Sequence, residues 1–201
     1  EIFVKLNEMI EDNKASALKD VLQIKIGVCT GGNKKHLNEK PIYQNSKKVL
    51  QGKNIHRYKL NWGEMYINYS KPELLRSRDE AIFLKEEKLL MRQTSDKLIL
   101  SYDDEQYYTI DSLFIIYRKD EELNLKYCLA LLNSKLLNRQ YQKLNPEIGR
   151  VFAQVKIDYV NEIPIIKTEL NKQNEFVILV DILIDKTREL DKVEMNFSKY
   201  F

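Results

Sequence analysis

Cysteine is nearly absent. Cys29 and Cys128 are the only two, in different segments, with no CxxC pair and no Cys/His cluster. That excludes a disulfide-stapled scaffold and leaves a reducing, cytoplasmic compartment as the simple expectation. His36 and His56 are the only histidines; both stand in lysine-rich sequence and are read as surface residues. No apolar run approaches the roughly 20 residues of a membrane span, and no signal peptide is visible. Glycine is scarce, and Gly31-Gly32-Asn33-Lys34-Lys35 lacks the spacing of a phosphate-binding P-loop. There is no GxSxG nucleophile elbow. The four prolines (Pro41, Pro72, Pro146 and Pro164) are never adjacent, so the (N/D)PP(Y/F) tetrapeptide of adenine methylation is missing too. The chain starts at Glu1 rather than Met, and is therefore read as a piece of something longer.

What is present is a globular chain of 201 residues and 23.9 kDa, 43% hydrophobic and 31% charged. That suits one larger domain, or one domain with a helical extension. Such a length buries roughly 70% of the extended-chain surface and needs no staples. The net charge of +3 says little, but its distribution says more. Residues 1–70 carry net +5, residues 71–122 net −4 and residues 123–201 net +2. Within the first block, residues 33–59 hold Lys34, Lys35, Lys40, Lys47, Lys48, Lys53, Arg57 and Lys59 against Glu39 alone, net +7. Such asymmetry is the footprint of a nucleic-acid-binding face or, alternatively, of a solvated lysine-rich loop.

Residues 1–12 place Ile2, Phe3, Leu6, Met9 and Ile10 at helical spacing. Leu22, Ile24, Ile26 and Val28 alternate as in a strand, and Thr30-Gly31-Gly32-Asn33 is a turn that opens the basic loop 33–59. Residues 62–69 alternate again, and Pro72 is placed to start a short helix over 72–78. Residues 88–92, 97–102, 107–110 and 112–117 are short apolar runs separated by turns, which predicts antiparallel hairpins in a sheet. Asn124 is a cap for one helix over 125–144, stopped by Asn145-Pro146. A last helix spans 173–194, with Phe176, Val177, Val180, Leu183, Ile184, Thr187 and Leu190 inward. The fold class predicted is α+β, an antiparallel or mixed sheet with a central packed helix and a long C-terminal helix. Three regions are expected: 1–16 a helix or linker from an upstream domain, 17–170 the main domain, and 171–201 the terminal helix.

One catalytic pattern is worth weighing. Pro72-Glu73 with Glu86-Glu87-Lys88 resembles a degenerate metal-nuclease motif, in which carboxylates hold a divalent ion beside a lysine. Carboxylates and lysines are abundant here, and the alternative is an exposed helix start and an exposed strand start.

The order of several segments carries a resemblance. Lys88-Leu-Leu-Met-Arg-Gln-Thr-Ser-Asp-Lys-Leu-Ile-Leu-Ser-Tyr-Asp103, then Tyr107-Tyr-Thr-Ile-Asp-Ser-Leu, then Tyr127-Cys-Leu-Ala-Leu-Leu-Asn-Ser-Lys-Leu-Leu-Asn138 looks like the TaqI-type C-terminal specificity domain. Leu50-Gln-Gly-Lys-Asn-Ile-His-Arg-Tyr58 upstream is similar to a G-K-(D/N)-I-x-R-Y segment of that family. Phe152-Ala-Gln-Val-Lys, Glu162-Ile-Pro-Ile165 and a long helix fit downstream, so the resemblance covers about residues 20–190. It implies a DNA target recognition domain of an adenine-specific methyltransferase or fused restriction–modification enzyme. The partners implied are double-stranded DNA and an upstream methyltransferase domain of the same polypeptide, with no membrane. The implied cofactors lie outside this chain: S-adenosylmethionine, and magnesium if the parent carries a nuclease.

DNA recognition needs cations for phosphates and amide, guanidinium or hydroxyl groups for base edges. Lys34, Lys35, Lys53 and Arg57 are the expected phosphate contacts, with Asn33 and Asn54 as base readers beside Gly32 and Gly52. Arg92, Gln93 and Thr94 present a guanidinium, an amide and a hydroxyl together at a strand end; the alternative is a hairpin end with a structural role. Arg150 and Gln154, in an irregular stretch, complete the set. Lys135 and Arg139 are read as a solvated helix face, and Tyr107-Tyr108 as sheet packing rather than base stacking. No catalytic or metal residue is expected. The rival functions are a metal-dependent nuclease using Glu73, Glu86 and Lys88, and a protein-interaction module.

Overall fold

The structure, a computed structural model, describes residues 5, 8, 9, 11, 12, 14–145, 147 and 149–197, apart from the side chains of 191, 192 and 194–197. Lys5, Glu8, Met9 and Glu11 are helical, whereas Ile2, Phe3, Leu6 and Ile10 lie outside the described residues. The elements that follow are β1 (Ala15–Ala17), α1 (Leu18–Val21), β2 (Leu22–Ile26), α2 (Asn33–His36), β3 (Leu37–Asn38), β4 (Ser46–Leu50), β5 (Ile55–His56), β6 (Lys59–Leu60) and β7 (Tyr66–Asn68). Then come β8 (Lys88–Arg92), β9 (Leu100–Asp103), β10 (Tyr108–Thr109), β11 (Leu113–Arg118), α3 (Leu125–Asn133), α4 (Lys135–Leu144), α5 (Ile157–Asn161), β12 (Pro164–Ile166) and α6 (Leu170–Phe197).

Strands β2-β11-β8-β9 form one antiparallel sheet, and β10-β4-β7-β3 a second, mixed one. The centre of the first sheet is buried on both faces. Leu89, Met91, Phe114 and Ile116 point to a core shared with α3 and α6, where Leu125, Cys128, Leu129, Leu132, Val180 and Ile184 meet them. Leu90, Leu113 and Ile115 point the other way, to Val49, Ile67, Phe83 and Tyr108 around the second sheet. Double burial explains why these strands read as unbroken apolar runs rather than as alternation. The α+β class holds: a helical layer, then two sheets.

The hairpin expectation holds for β8–β9 and fails after it. Between β9 and β11 the chain crosses to the second sheet, where β10 pairs in parallel with β4 (Tyr108↔Val49, Thr109↔Leu50). It returns as β11 between β8 and β2. Gly27 permits the crossing. A Cβ there would lie 2.2 Å from the Ile110 carbonyl oxygen, so only glycine lets the backbones meet. Val28 N–H then donates to Thr109 (2.9 Å), and Asp111 N–H to Val28 (2.8 Å).

The helix over 125–144 is two helices. Ser134 is extended (φ −65°, ψ 150°) and its hydroxyl accepts from Leu137 N–H, capping α4. The cause is Asn133, which is fully buried against the edge strand β9. Its Oδ1 accepts from Leu100 N–H (3.1 Å), and its Nδ2 donates to the Leu100 carbonyl (3.1 Å). The amide thus helps to cover the β9 edge, together with Tyr58 N–H, which donates to the same Leu100 carbonyl. Asn138 does the same for Leu98 N–H (2.8 Å). The break also turns the inward stripe, so Leu137 and Tyr141 are buried while Leu136 is only partly so.

Other expectations change. Residues 72–78 hold only a 3-10 turn at Lys71–Glu73 before the chain extends. Residues 33–59 are not one loop; they are spread over α2, β3, β4, a 3-10 turn at Gly52–Asn54 and the β5–β6 hairpin. The terminal helix begins at Leu170 and turns Gln173, Val180 and Ile184 inward. Leu183 and Leu190, expected inside, are exposed, as is a large part of Phe176, whose ring still meets Tyr127 edge-on at 5.4 Å. β1 pairs with β12, joining the segments that flank the domain.

Candidate nucleic-acid interface

The turn between β8 and β9 is the hub of the candidate site. Arg92 closes β8. Gln93 N–H donates to the Ser112 carbonyl (3.0 Å), and its carbonyl accepts from Val155 N–H (2.7 Å). Thr94 bridges Gln154. Gly52 N–H donates to the Ser112 hydroxyl (2.9 Å), which seats the exposed Lys53 on the same rim. Gly52 is therefore a close-packing position and not a flexible one: a Cβ there would meet the Ser112 oxygen at 3.2 Å. Four chain segments thus converge, bringing together Lys53, Arg92, Gln93, Thr94 and, through the 149–155 loop, Arg150 and Gln154.

Beside this rim, Arg57, Lys97, Lys135 and Arg139 line a cleft of about 300 Å³ that has no acidic side chain among its described lining residues. Arg57 is held there by donating to the Asn133 carbonyl. Its turn is shaped by Tyr58, whose φ of 62° is left-handed and whose N–H donates to the Leu100 carbonyl (3.1 Å). Gln142 ties α4 to the hub through the Asp96 carbonyl (3.3 Å). Lys135 and Arg139, read from sequence as a solvated face, share this concave surface with Arg57. Lys97 was missed by sequence reasoning, although a lysine after Ser95-Asp96 in a predicted turn is a readable signal.

Several predicted residues stand elsewhere. Asn33, Lys34 and Lys35 are exposed on α2. Strands β3 and β4 both run antiparallel to β7, so they share a direction. Helix α2 precedes β3 while the Lys53 turn follows β4, which puts the two basic groups at opposite ends of that sheet. The Asn33 amide is also occupied locally, accepting from the Thr30 hydroxyl (2.7 Å). Asn54 is not a base reader: it is buried, with Oδ1 accepting from Gln51 N–H (2.8 Å) and Nδ2 donating to Asn61 (2.7 Å). His36 is buried rather than on the surface, with its Nδ1 unpartnered among the described residues. The Nε of Arg92 is buried and unpartnered in the same sense. Tyr107 and Tyr108 are packing residues, as expected. Tyr108 stacks on Phe83 at 4.5 Å and its hydroxyl donates to Glu80 (2.6 Å).

The nuclease alternative fails on Lys88. That side chain is fully buried, 2.7 Å from the equally buried Asp103, and cannot serve a site with the exposed Glu73 and Glu86. Among the described residues no three His, Cys, Asp or Glu side chains are grouped to hold a metal ion.

Residues 47–165 match the TaqI-like C-terminal specificity domain, more than half of the chain. The chain belongs to that family. The matched span contains the whole hub and cleft of this specificity domain, and α2 lies outside it. No protein of curated function matches the sequence. Among solved structures, the domain is similar to the S subunit of a type I restriction–modification system from M. genitalium, with 11% identity over 97% of this chain and 46% of that one, and a TM-score of 0.56. It also matches the HsdS subunit from Thermoanaerobacter tengcongensis (13% identity, 96% and 45% coverage, TM-score 0.47). A third match is the type IIL restriction–modification enzyme MmeI, solved in complex with DNA (10% identity, 76% and 26% coverage, TM-score 0.48). The specificity domain spans less than half the length of each of these proteins.

Proposed function

We propose that this specificity domain reads one DNA sequence and positions an adenine-specific methyltransferase of a restriction–modification system upon it. The observation that carries the reading is the convergence of base-reading groups and cations on one face, inside the span that matches the family. Arg57, Lys97, Lys135 and Arg139 grip phosphates and set register. Gln93 and Arg92 offer bidentate partners for adenine and guanine, each good pair worth roughly 1–3 kcal/mol of discrimination. Lys53, Thr94 and Arg150 flank them.

The methyl donor S-adenosylmethionine, and magnesium for any attached nuclease, belong in this proposal to segments outside the chain, as does the catalytic domain of the same polypeptide. The natural surface for that domain is α6, whose outer face exposes Ile178, Leu179, Ile182, Leu183, Leu190 and Val193. No helix among the described residues is long and apolar enough to cross a membrane, and the cytoplasm is where such a system meets its DNA.

The test is the affinity of the chain for duplex DNA across a range of salt concentrations. Phosphate contacts release counterions, so log K is expected to fall linearly with log salt, by about 0.9 per phosphate neutralised. Binding that ignores salt, or no binding to any duplex, contradicts the proposal.

A further inference from the structure

Loops normally end in polar side chains, because large exposed apolar groups invite association. The loop between α4 and α5 does the opposite at its tip. Val151 is 84% exposed and Phe152 82% exposed, side by side. Phe152 holds a φ of 63° and Gly149 one of 73°. A left-handed backbone is unfavourable for a bulky aromatic residue and persists only where its surroundings impose it.

The surroundings do impose it. Asn145, fully buried, accepts from Glu147 N–H (3.2 Å) and donates to the Tyr141 hydroxyl (2.8 Å). The Glu147 carboxylate accepts from Gln154 N–H (2.7 Å) and pairs with Lys156 (3.3 Å). The Gln154 N–H and then Lys156 hold that carboxyl below the usual glutamate range. Arg150 N–H donates to Glu147 (3.1 Å) and Ala153 N–H to Arg150 (3.2 Å), closing the tip into consecutive turns. Two residues on, Gln154 bridges Thr94, so the tip stands directly beside the hub. A braced platform therefore presents two apolar side chains on the face that carries Arg92, Gln93 and Thr94.

We infer that Val151 and Phe152 form a wedge that enters a base step of the DNA this domain reads, Phe152 stacking on the unstacked base. The inference rests on the proposed DNA function and adds to it an element that deforms the duplex. Pyrimidine–purine steps unstack most readily, so a wedge also reads sequence through deformability, without hydrogen bonds.

The experiment uses a duplex that the wild-type chain enriches from a randomised pool, and three variants of the chain. Phe152→Ala is expected to weaken binding by about 10- to 100-fold, the usual scale of one lost base–aromatic stack. Its salt slope should equal the wild type's, because no charge is removed. Phe152→Trp is expected to retain affinity and to show fluorescence quenching on adding duplex, beyond any change seen for Trp62 in the wild type. Phe152→Gly is expected to raise the melting temperature by relieving the backbone, while weakening binding as alanine does. An unchanged melting temperature for Phe152→Ala shows that folding is not what failed. Salt-dependent wild-type binding, with Phe152→Ala binding equally well and Phe152→Trp unquenched, overturns the wedge and leaves the DNA function standing; the tip would then face a protein. A wild type that binds no duplex overturns both.

Discussion

Replacing Lys88 by methionine is expected to cost the fold about 3–5 kcal/mol, the range for stranding one partner of a buried ion pair. Lys88 and Asp103 are directly opposed across β8 and β9, and both side chains are fully buried. Their network is closed. Lys88 also donates to the Phe83 carbonyl (2.8 Å), and Asp103 accepts from Glu105 N–H (2.9 Å) and Tyr107 N–H (3.2 Å). Burial pulls the Lys88 ammonium below the usual lysine range and lifts the Asp103 carboxyl above the usual carboxylate range, and their mutual attraction works against both shifts. Methionine keeps the volume and removes the charge, so the loss measures the stranded carboxylate. The double variant Lys88→Met/Asp103→Asn should recover a large part of it, because asparagine still accepts a backbone N–H while carrying no charge. Urea denaturation of the two variants checks both statements. A Lys88→Met chain as stable as the wild type would show that the pair contributes nothing.

Reversing the charge of Arg57, Lys97, Lys135 and Arg139 together is expected to abolish duplex binding near physiological salt. Removing four phosphate contacts alone lowers affinity by about a thousandfold near 0.15 M salt and flattens the log–log slope by roughly 3.6. The repulsion from four new carboxylates adds to that. The matching control is Lys34→Glu/Lys35→Glu on α2. Those residues carry the same charge in the same basic stretch of sequence, yet they lie at the other end of the second sheet, and their loss should leave the slope within one contact of the wild type. If the α2 variant loses binding and the cleft variant keeps it, the DNA face has been placed at the wrong end. All six side chains are exposed, so the α2 variant should keep the wild-type melting temperature, and the cleft variant should lose only the Arg57 bond to the Asn133 carbonyl, about 1–3 kcal/mol.

What the sequence revealed follows the reach of the forces involved. The apolar runs of β8 and β11 were legible because local composition carries them. The turn at Ser95-Asp96 was legible because turn residues are visible one residue at a time. The break at Ser134 was not. Residues 125–144 keep an almost continuous helical period, and what interrupts it is the Asn133 amide bonding to Leu100, thirty-three residues away. Lys88 read as an exposed strand start because its partner Asp103 lies across a hairpin. The parallel pairing of β10 with β4 depends on contacts about sixty residues apart. Asn54 was misjudged for a related reason: an amide beside a glycine looks free to read bases, but here it is used up holding Gln51 and Asn61 together. Lys135 and Arg139 looked like an ordinary solvated face until Arg57, from a distant hairpin, closed the cleft over them.

The claim that this domain reads a DNA sequence is tested most directly by selection. The chain is incubated with a pool of duplexes randomised over about two helical turns, the retained duplexes are sequenced, and the cycle is repeated. Enrichment of one motif is expected, with positions that relax when Gln93 or Arg92 is replaced by alanine, since each bidentate contact contributes roughly 1–3 kcal/mol at its own base pair. Retained duplexes whose sequences match the input pool would contradict the account.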